Sequence, residues 1–259
     1  MFRSLTLSVA LALVVAPLAA RSPVDSQAPA ADLDAIVHRL EPAALADRVP
    51  EVIESRLACL RLLSASPAAD RVPLIRYTIA YAAWRVAFSP SLGPKDQASL
   101  LDDAVVQLNE AITLNSKFAE AMALLASVEG AQIARTPELG MTLGPESSAI
   151  LSRALTLEPE NPRLLLVRGE SLYNTPPEYG GSVKDAENTL RRALQAFDRE
   201  PATKAWPNWG RFDAHAWLGK ALADRHDSAG ARAEFTKALE IAPESMWAKI
   251  LLQSVKGPE

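Results

Sequence analysis

The chain has 259 residues, of which 49% are hydrophobic and 22% charged, with 46 alanines against 11 glycines. This composition excludes a disordered chain and favours helices, because alanine is the best helix former. A net charge of −4 argues against a binder of nucleic acid or anionic membranes, and the single cysteine, Cys59, excludes an intrachain disulfide framework and any CxxC metal site.

The first 20 residues have the pattern of a secretory signal peptide. Arg3 precedes an uncharged run over residues 5–20, and Leu18 and Ala20 occupy the −3 and −1 positions of a cleavage site. Pro17 interrupts the run, which is short of the roughly 20 apolar residues that a membrane span needs. We expect cleavage near Ala20, a mature protein without a membrane span, and a flexible lead-in over residues 21–30.

The expected location is the bacterial periplasm or the secreted fraction. Arginines outnumber lysines by 19 to 8 in a chain this rich in alanine, a bias typical of GC-rich bacterial genomes.

Residues 31–68 are predicted to form two helices that cap the N-terminal end of the fold. The first begins after Asp32 as its cap, and the second begins at Pro50 in its first turn. Cys59 lies on the apolar face of the second helix and is interpreted as a core residue. The predicted apolar faces are Leu33, Ile36, Val37 and Leu40 in the first helix, and Ile53, Leu57, Leu60 and Leu63 in the second.

The rest of the chain repeats one pattern of small and bulky residues. No alternating apolar run bounded by turns predicts a strand. The last unit has His215-x2-Leu218-Gly219-x2-Leu222, and the pattern then continues through Phe235 to Pro243. The four repeated segments begin at Ala104, Ser147, Ala186 and Ala231, continue with Leu108, Leu151, Leu190 and Phe235, and end at Ala111, Ala154, Ala193 and Ala238.

This pattern resembles the tetratricopeptide repeat (TPR), whose signature is W-x2-L-G-x2-Y followed by A-x3-F, A and P. The resemblance covers about residues 70–250 and is strongest in the last unit, where His215 and Leu222 replace the family's aromatic residues. It implies an all-α, right-handed superhelix of stacked helix hairpins over residues 69–259. We expect a final helix over residues 245–256 to cover the open end, with Met246, Trp247, Ile250 and Leu251 buried.

Inserted segments lengthen the units beyond the family's 34 residues. The spacings between equivalent alanines are 43, 39 and 45 residues. Inserts at residues 89–94, 135–145 and 174–182 fall between the two helices of a unit, so we expect them to lie along one edge. They are either a binding surface or ordinary loop variation.

A further insert at residues 199–211 carries Trp206 and Trp209 on either side of Pro207-Asn208. Two tryptophans in one loop indicate either a wedge that packs between units or an aromatic anchor for a partner. We favour the wedge, because packing between units would bury more of the two aromatic side chains.

Candidate chemistry is sparse. His215 and His226 have no carboxylate or cysteine at metal-ligand spacing, and no nucleophile elbow, Walker loop or G-x-G-x-x-G occurs. We therefore expect no catalytic, metal-binding or cofactor-binding residues.

Binding is the function that the resemblance implies, because the first helices of TPR units line a concave groove. A mixed-charge groove suits an extended or helical peptide. The candidate partner-binding residues are Tyr77, Tyr81, Arg85, Glu120, Arg163, Glu170, Tyr173 and Lys220 in the groove, with Trp206 and Trp209 in the insert.

The sequence thus predicts a periplasmic protein-interaction scaffold that binds a protein or peptide through its groove or its extended loops. Two alternatives remain open: an accessory subunit of a periplasmic transport or envelope-assembly system, and a small-ligand-binding or hydrolytic helical domain with the aromatic groove as its pocket.

Overall fold

The computed structural model describes residues 32–201 and 203–255. The predicted signal peptide and lead-in lie outside these residues. Within them the chain forms eleven α-helices and two short 3-10 helices, with no strand. None of the described helices is both long and apolar enough to cross a membrane.

Ten of the α-helices form five antiparallel hairpins. Within each hairpin the two helices pack against each other, and α11 packs on the last hairpin. The 3-10 helices, Pro137–Leu139 and Pro177–Tyr179, precede α6 and α8. The helices are α1 (Leu33–Leu45), α2 (Val49–Ser64), α3 (Val72–Val86), α4 (Pro94–Leu114), α5 (Ala119–Arg135), α6 (Gly140–Leu157), α7 (Pro162–Asn174), α8 (Val183–Arg199), α9 (Arg211–Asp224), α10 (Ser228–Ile241) and α11 (Met246–Ser254).

The helix starts agree with local sequence signals. Asp32, Asn161, Ser182 and Asp227 each accept a hydrogen bond from a backbone N–H of the first turn. Proline stands in the first turn of α2, α3, α4 and α7, where its missing N–H removes no hydrogen bond.

Small residues lie where the paired helices touch. The repeated alanines have no exposed surface, and Gly169 and Gly219 lie directly against Leu190 and Phe235. Each hairpin buries its apolar side against its neighbours, as in other repeat proteins.

Gly219→Ala is expected to lower the free energy of unfolding by about 1–3 kcal/mol, because overpacking forces the core apart. A Cβ at this position would lie 2.4 Å from the Phe235 ring. Gly130→Ala is the matched control, since a Cβ there meets nothing within 4 Å. It is expected to stabilise the helix by up to about 1 kcal/mol. Urea unfolding measures both, and equal effects would contradict the packing.

Three sequence predictions about which residues are buried or helical are wrong in detail. In α2, Ile53 and Leu57 are 38% and 43% exposed, while the face with Val52 and Cys59 is buried. Small residues at Ser55 and Ala58 let that face approach the neighbouring helices more closely.

The final helix buries less than predicted. Met246 and Ile250 are 57% and 58% exposed, Trp247 and Leu251 are half-buried, and Ala248 is the buried residue. The reason is that α11 has neighbours on one side only, α9 and α10.

The insert at residues 135–145 is partly helical, because α6 already begins at Gly140 and contains Pro145. A proline inside a helix removes one backbone hydrogen bond, and α6 continues through it.

Candidate functional site

The first helices of successive hairpins, α3, α5, α7 and α9, pack side by side. We call the surface that carries Tyr77, Arg163 and Lys220 on these helices the inner surface. It is divided into a filled part over α3 and an open part over α7 and α9.

The filled part is occupied by residues 203–210, which connect α8 to α9 and are called the tryptophan loop. Trp206 and Trp209 are 8% and 2% exposed. The Trp206 indole N–H donates to Thr78 Oγ1 at 3.0 Å, and the Trp209 N–H donates to the Tyr77 hydroxyl at 2.6 Å. The two tryptophans therefore pack on α3, as the wedge interpretation describes.

Arg163 on α7 anchors the tryptophan loop. Its side chain has no exposed surface. Its Nη1 donates to the Trp209 carbonyl oxygen at 3.1 Å and to Glu200 Oε2 at 3.2 Å, while its Nε lies 4.0 Å from Glu120. One guanidinium thus joins the end of α8, the loop and α5.

Arg85 on α3 is the centre of a second buried network. It forms a bidentate ion pair with Asp213 on α9, at 2.9 and 2.6 Å, and donates to the Tyr81 hydroxyl at 2.8 Å. Tyr81 in turn donates to Glu41 on α1. Burial raises the pKa of the Glu41 carboxyl, although Arg85 opposes the shift. The network links the N-terminal cap to the last hairpin.

Glu170 on α7 lies at the boundary between the filled and open parts. Burial, and then the nearby Asp213 carboxylate, raise its pKa to about 8, while Arg85 and Lys220 oppose the shift. The folded protein therefore keeps a proton near neutral pH that the unfolded chain releases.

Stability is expected to fall as pH rises from about 4.5 to about 8, because across this window the folded state binds more protons than the unfolded state. Glu170→Gln replaces the titrating carboxyl group by an amide that does not titrate. The urea midpoint of the variant should therefore rise relative to that of the wild type as pH increases from 5 to 9. The exposed Glu240→Gln is the control, and a midpoint difference for Glu170→Gln that does not change with pH would contradict the assignment.

The open part is an aromatic and charged surface that we call the Trp217 patch. The Tyr173 and Trp217 rings lie 5.4 Å apart, and the Trp247 ring lies 5.9 Å from Trp217. All three side chains are half-buried. The patch consists of Glu170, Tyr173, Trp217, Lys220, Asp224 and Trp247.

Charged groups hold the Trp217 patch in place. The Lys220 ammonium lies 3.9 Å from the centre of the Trp217 ring and 5.0 Å from that of Tyr173. The Tyr173 hydroxyl donates to Asp224 at 2.6 Å. Burial lowers the pKa of Lys220, with Asp224 opposing the shift. The patch thus presents aromatic faces with an ammonium and a carboxylate at their edges.

The ten predicted binding residues separate into two groups. Seven have their main contacts within the protein: Tyr77, Tyr81, Arg85, Glu120, Arg163, Trp206 and Trp209. Glu170, Tyr173 and Lys220 are half-buried and lie in the Trp217 patch.

The sequence interpretation missed Trp217 and Trp247 as site residues. Trp217 is three residues before Lys220, so helical spacing alone could have placed the two side chains together. Trp247 had no such signal, because its place depends on how α11 docks.

The described residues contain no group of three or more His, Cys, Asp or Glu side chains that could hold a metal ion. Cys59 is buried, and burial raises the pKa of its thiol to about 12, so the reactive thiolate is disfavoured.

Among the solved structures that match this chain are two helical proteins. The HusA haemophore from Porphyromonas gingivalis has a TM-score of 0.61 and 26% sequence identity, covering 74% of this chain and 94% of its own. A thermophilic TPR protein from Thermus thermophilus has a TM-score of 0.59 and 17% identity, covering 85% of this chain and 98% of its own. No family model and no curated protein matches the sequence. The predicted fold class, an all-α helical repeat, is confirmed.

Proposed function

We propose that the chain is a non-catalytic binding scaffold that holds a segment of a partner protein against the Trp217 patch. The observation that carries this proposal is the set of three touching, half-buried aromatic rings with Lys220 and Asp224 beside them. Tryptophan and tyrosine are the residue types enriched at the energetic centres of protein interfaces.

The position of the tryptophan loop is a second reason to place the binding site at this patch. Because the tryptophan loop covers α3, a partner that binds the inner surface reaches α7 and α9 first. A segment with an aromatic or aliphatic side chain next to a charged one fits the patch, since both an ammonium and a carboxylate are present at its edge.

Cross-linked capture from the source bacterium tests the proposal. The wild-type protein should retain one dominant protein at equal stoichiometry, and Trp217→Ala should lose at least about 90% of it, since truncation of a central aromatic weakens binding by about 2 kcal/mol or more. Tyr179→Ala, which removes a 67% exposed tyrosine from the α7–α8 insert, is the control. Capture that survives Trp217→Ala but is lost in the control would assign binding to the extended loops.

A second candidate is that the same patch carries a flat aromatic ligand such as haem. The similarity to HusA, which is described as a haemophore, favours it, and so does the ring arrangement, because aromatic side chains stack on planar ligands. Absorbance titration with haem tests it. Saturable binding of haem that is weaker in Trp217→Ala would support a ligand carrier. No saturable binding would contradict this second candidate, and the protein-partner proposal would then be the remaining one.

We propose further that the protein is periplasmic, supported by the charged start, the apolar run and the small residues before position 21. Fractionation and N-terminal sequencing of the mature protein should find it in the periplasm, beginning at Arg21. An intact Met1 would reject this proposal.

A further inference from the structure

The outer side of α7 carries a groove that is separate from the Trp217 patch. Helices α6 and α8 both pack on α7 but do not pack on each other, so a space of about 470 Å³ remains between them. Leu165, Arg168 and Leu172 point into it from α7, whereas Glu170 and Tyr173 lie on the inner surface. The groove is lined by Leu155, Pro159, Leu165, Arg168, Leu172, Asp185, Thr189 and Arg192.

The floor of this groove is apolar. Leu165 is 3% exposed, and Leu155 and Leu172 are half-buried. A volume of this size lies within the range of small-molecule sites, about 300–1,000 Å³. An alkyl chain on this floor would cover leucine surface that now faces water.

Arg168 gives the groove its charge preference. Its side chain is half-buried, and among the described residues no carboxylate lies within 4.0 Å of it and no hydrogen bond reaches it. Arg192, which also lines the groove, pairs with the exposed Glu160 at 3.1 Å. Asp185 is the one carboxylate in the lining, and Glu160 pairs with Arg192, so Arg168 is the guanidinium group of the groove that has no described carboxylate partner.

We propose that this groove binds a small anionic amphiphile, a carboxylate with an unbranched alkyl chain. The carboxylate pairs with the Arg168 guanidinium, which has two N–H groups in the geometry for bidentate binding. The alkyl chain lies over Leu155, Leu165 and Leu172. The unpartnered Arg168 guanidinium selects an anion, and the leucine floor selects the chain.

Calorimetric titration of the full-length protein with decanoate tests this proposal. Affinity should rise roughly three- to fourfold per added methylene from octanoate to decanoate. Decanol should bind at least about tenfold more weakly than decanoate, because it cannot form the charged pair.

Arg168→Gln should weaken decanoate binding at least about tenfold, since it removes the positive charge from the groove. Thr189→Trp should abolish binding by filling the space. Arg61→Gln, which changes an exposed arginine on α2, should leave binding unchanged. Circular dichroism melting confirms that each variant folds. Equal affinity for decanol and decanoate, no saturable binding, or loss of binding in Trp217→Ala instead of Arg168→Gln would each overturn the proposal.

Discussion

Replacing Arg163 by methionine is expected to lower the free energy of unfolding by about 3–5 kcal/mol, because it removes one partner of a buried ion pair and leaves Glu200 with only the Lys204 ammonium at 4.0 Å. Methionine keeps the apolar volume but removes every hydrogen bond of the guanidinium. The Glu200 carboxylate and the Trp209 carbonyl oxygen then lose their buried donor. Urea unfolding followed by tryptophan fluorescence measures the loss and reports directly on the tryptophan loop.

Arg199→Gln is the matched control for this experiment. Arg199 also pairs with a glutamate, Glu160 at 3.8 Å, but both side chains are more than 60% exposed. Exposed pairs contribute at most about 1 kcal/mol. A loss of this small size in Arg163→Met as well would show that Arg163 does not anchor the loop.

Trp209→Ala is expected to cost about 3–5 kcal/mol, the range for truncating a large buried aromatic side chain. Trp209 is 2% exposed, and its ring lies 5.3 Å from that of Tyr81 and 5.7 Å from that of Trp84. The variant should also lower the urea midpoint while the Trp217 patch keeps its contacts, because those come from α7, α9 and α11.

Two further variants help to interpret the Trp209 effect: one isolates a hydrogen bond of Trp209, and the other is a comparison at a half-buried tryptophan. Tyr77→Phe removes the acceptor of the Trp209 indole N–H and should cost about 1–3 kcal/mol, the penalty for an unsatisfied buried donor. Trp247→Ala truncates a half-buried ring and should cost less than Trp209→Ala. If Trp209→Ala is as mild as Trp247→Ala, the loop is not a buried wedge.

The repeat architecture was predictable because its signal is local and recurs. Alanine at Ala104, Ala154, Ala193 and Ala238 is required wherever paired helices touch, and all four are fully buried. Gly219 and Phe235, which are sixteen residues apart in the sequence, pack so closely that a Cβ on Gly219 would lie 2.4 Å from the Phe235 ring, because the TPR-like pattern sets the register of the two helices.

The occupation of the inner surface by the chain itself was harder to predict. Trp209 and Tyr77 are 132 residues apart, and nothing near either residue specifies the other. The TPR resemblance placed Tyr77, Tyr81 and Arg163 on the surface of the groove, but it could not indicate that the tryptophan loop covers them.

Contacts that are distant in the sequence also explain why the predicted buried faces of α2 and α11 were wrong. The sequence pattern of α2 shows several apolar residues, but which face is buried depends on the neighbours, and the face with Val52 and Cys59 is the buried one. In α11, Met246 is 57% exposed, because none of the described helices packs beyond α11.

The tryptophan loop fills one part of the inner surface and leaves the Trp217 patch open. Hydroxyl-radical footprinting with mass spectrometry tests this arrangement directly, because it measures the solvent access of each tryptophan in the same sample. We expect Trp206 and Trp209 to oxidise several-fold more slowly than Trp217 and Trp247. Oxidation of Trp209 at the rate of Trp217 would contradict this arrangement.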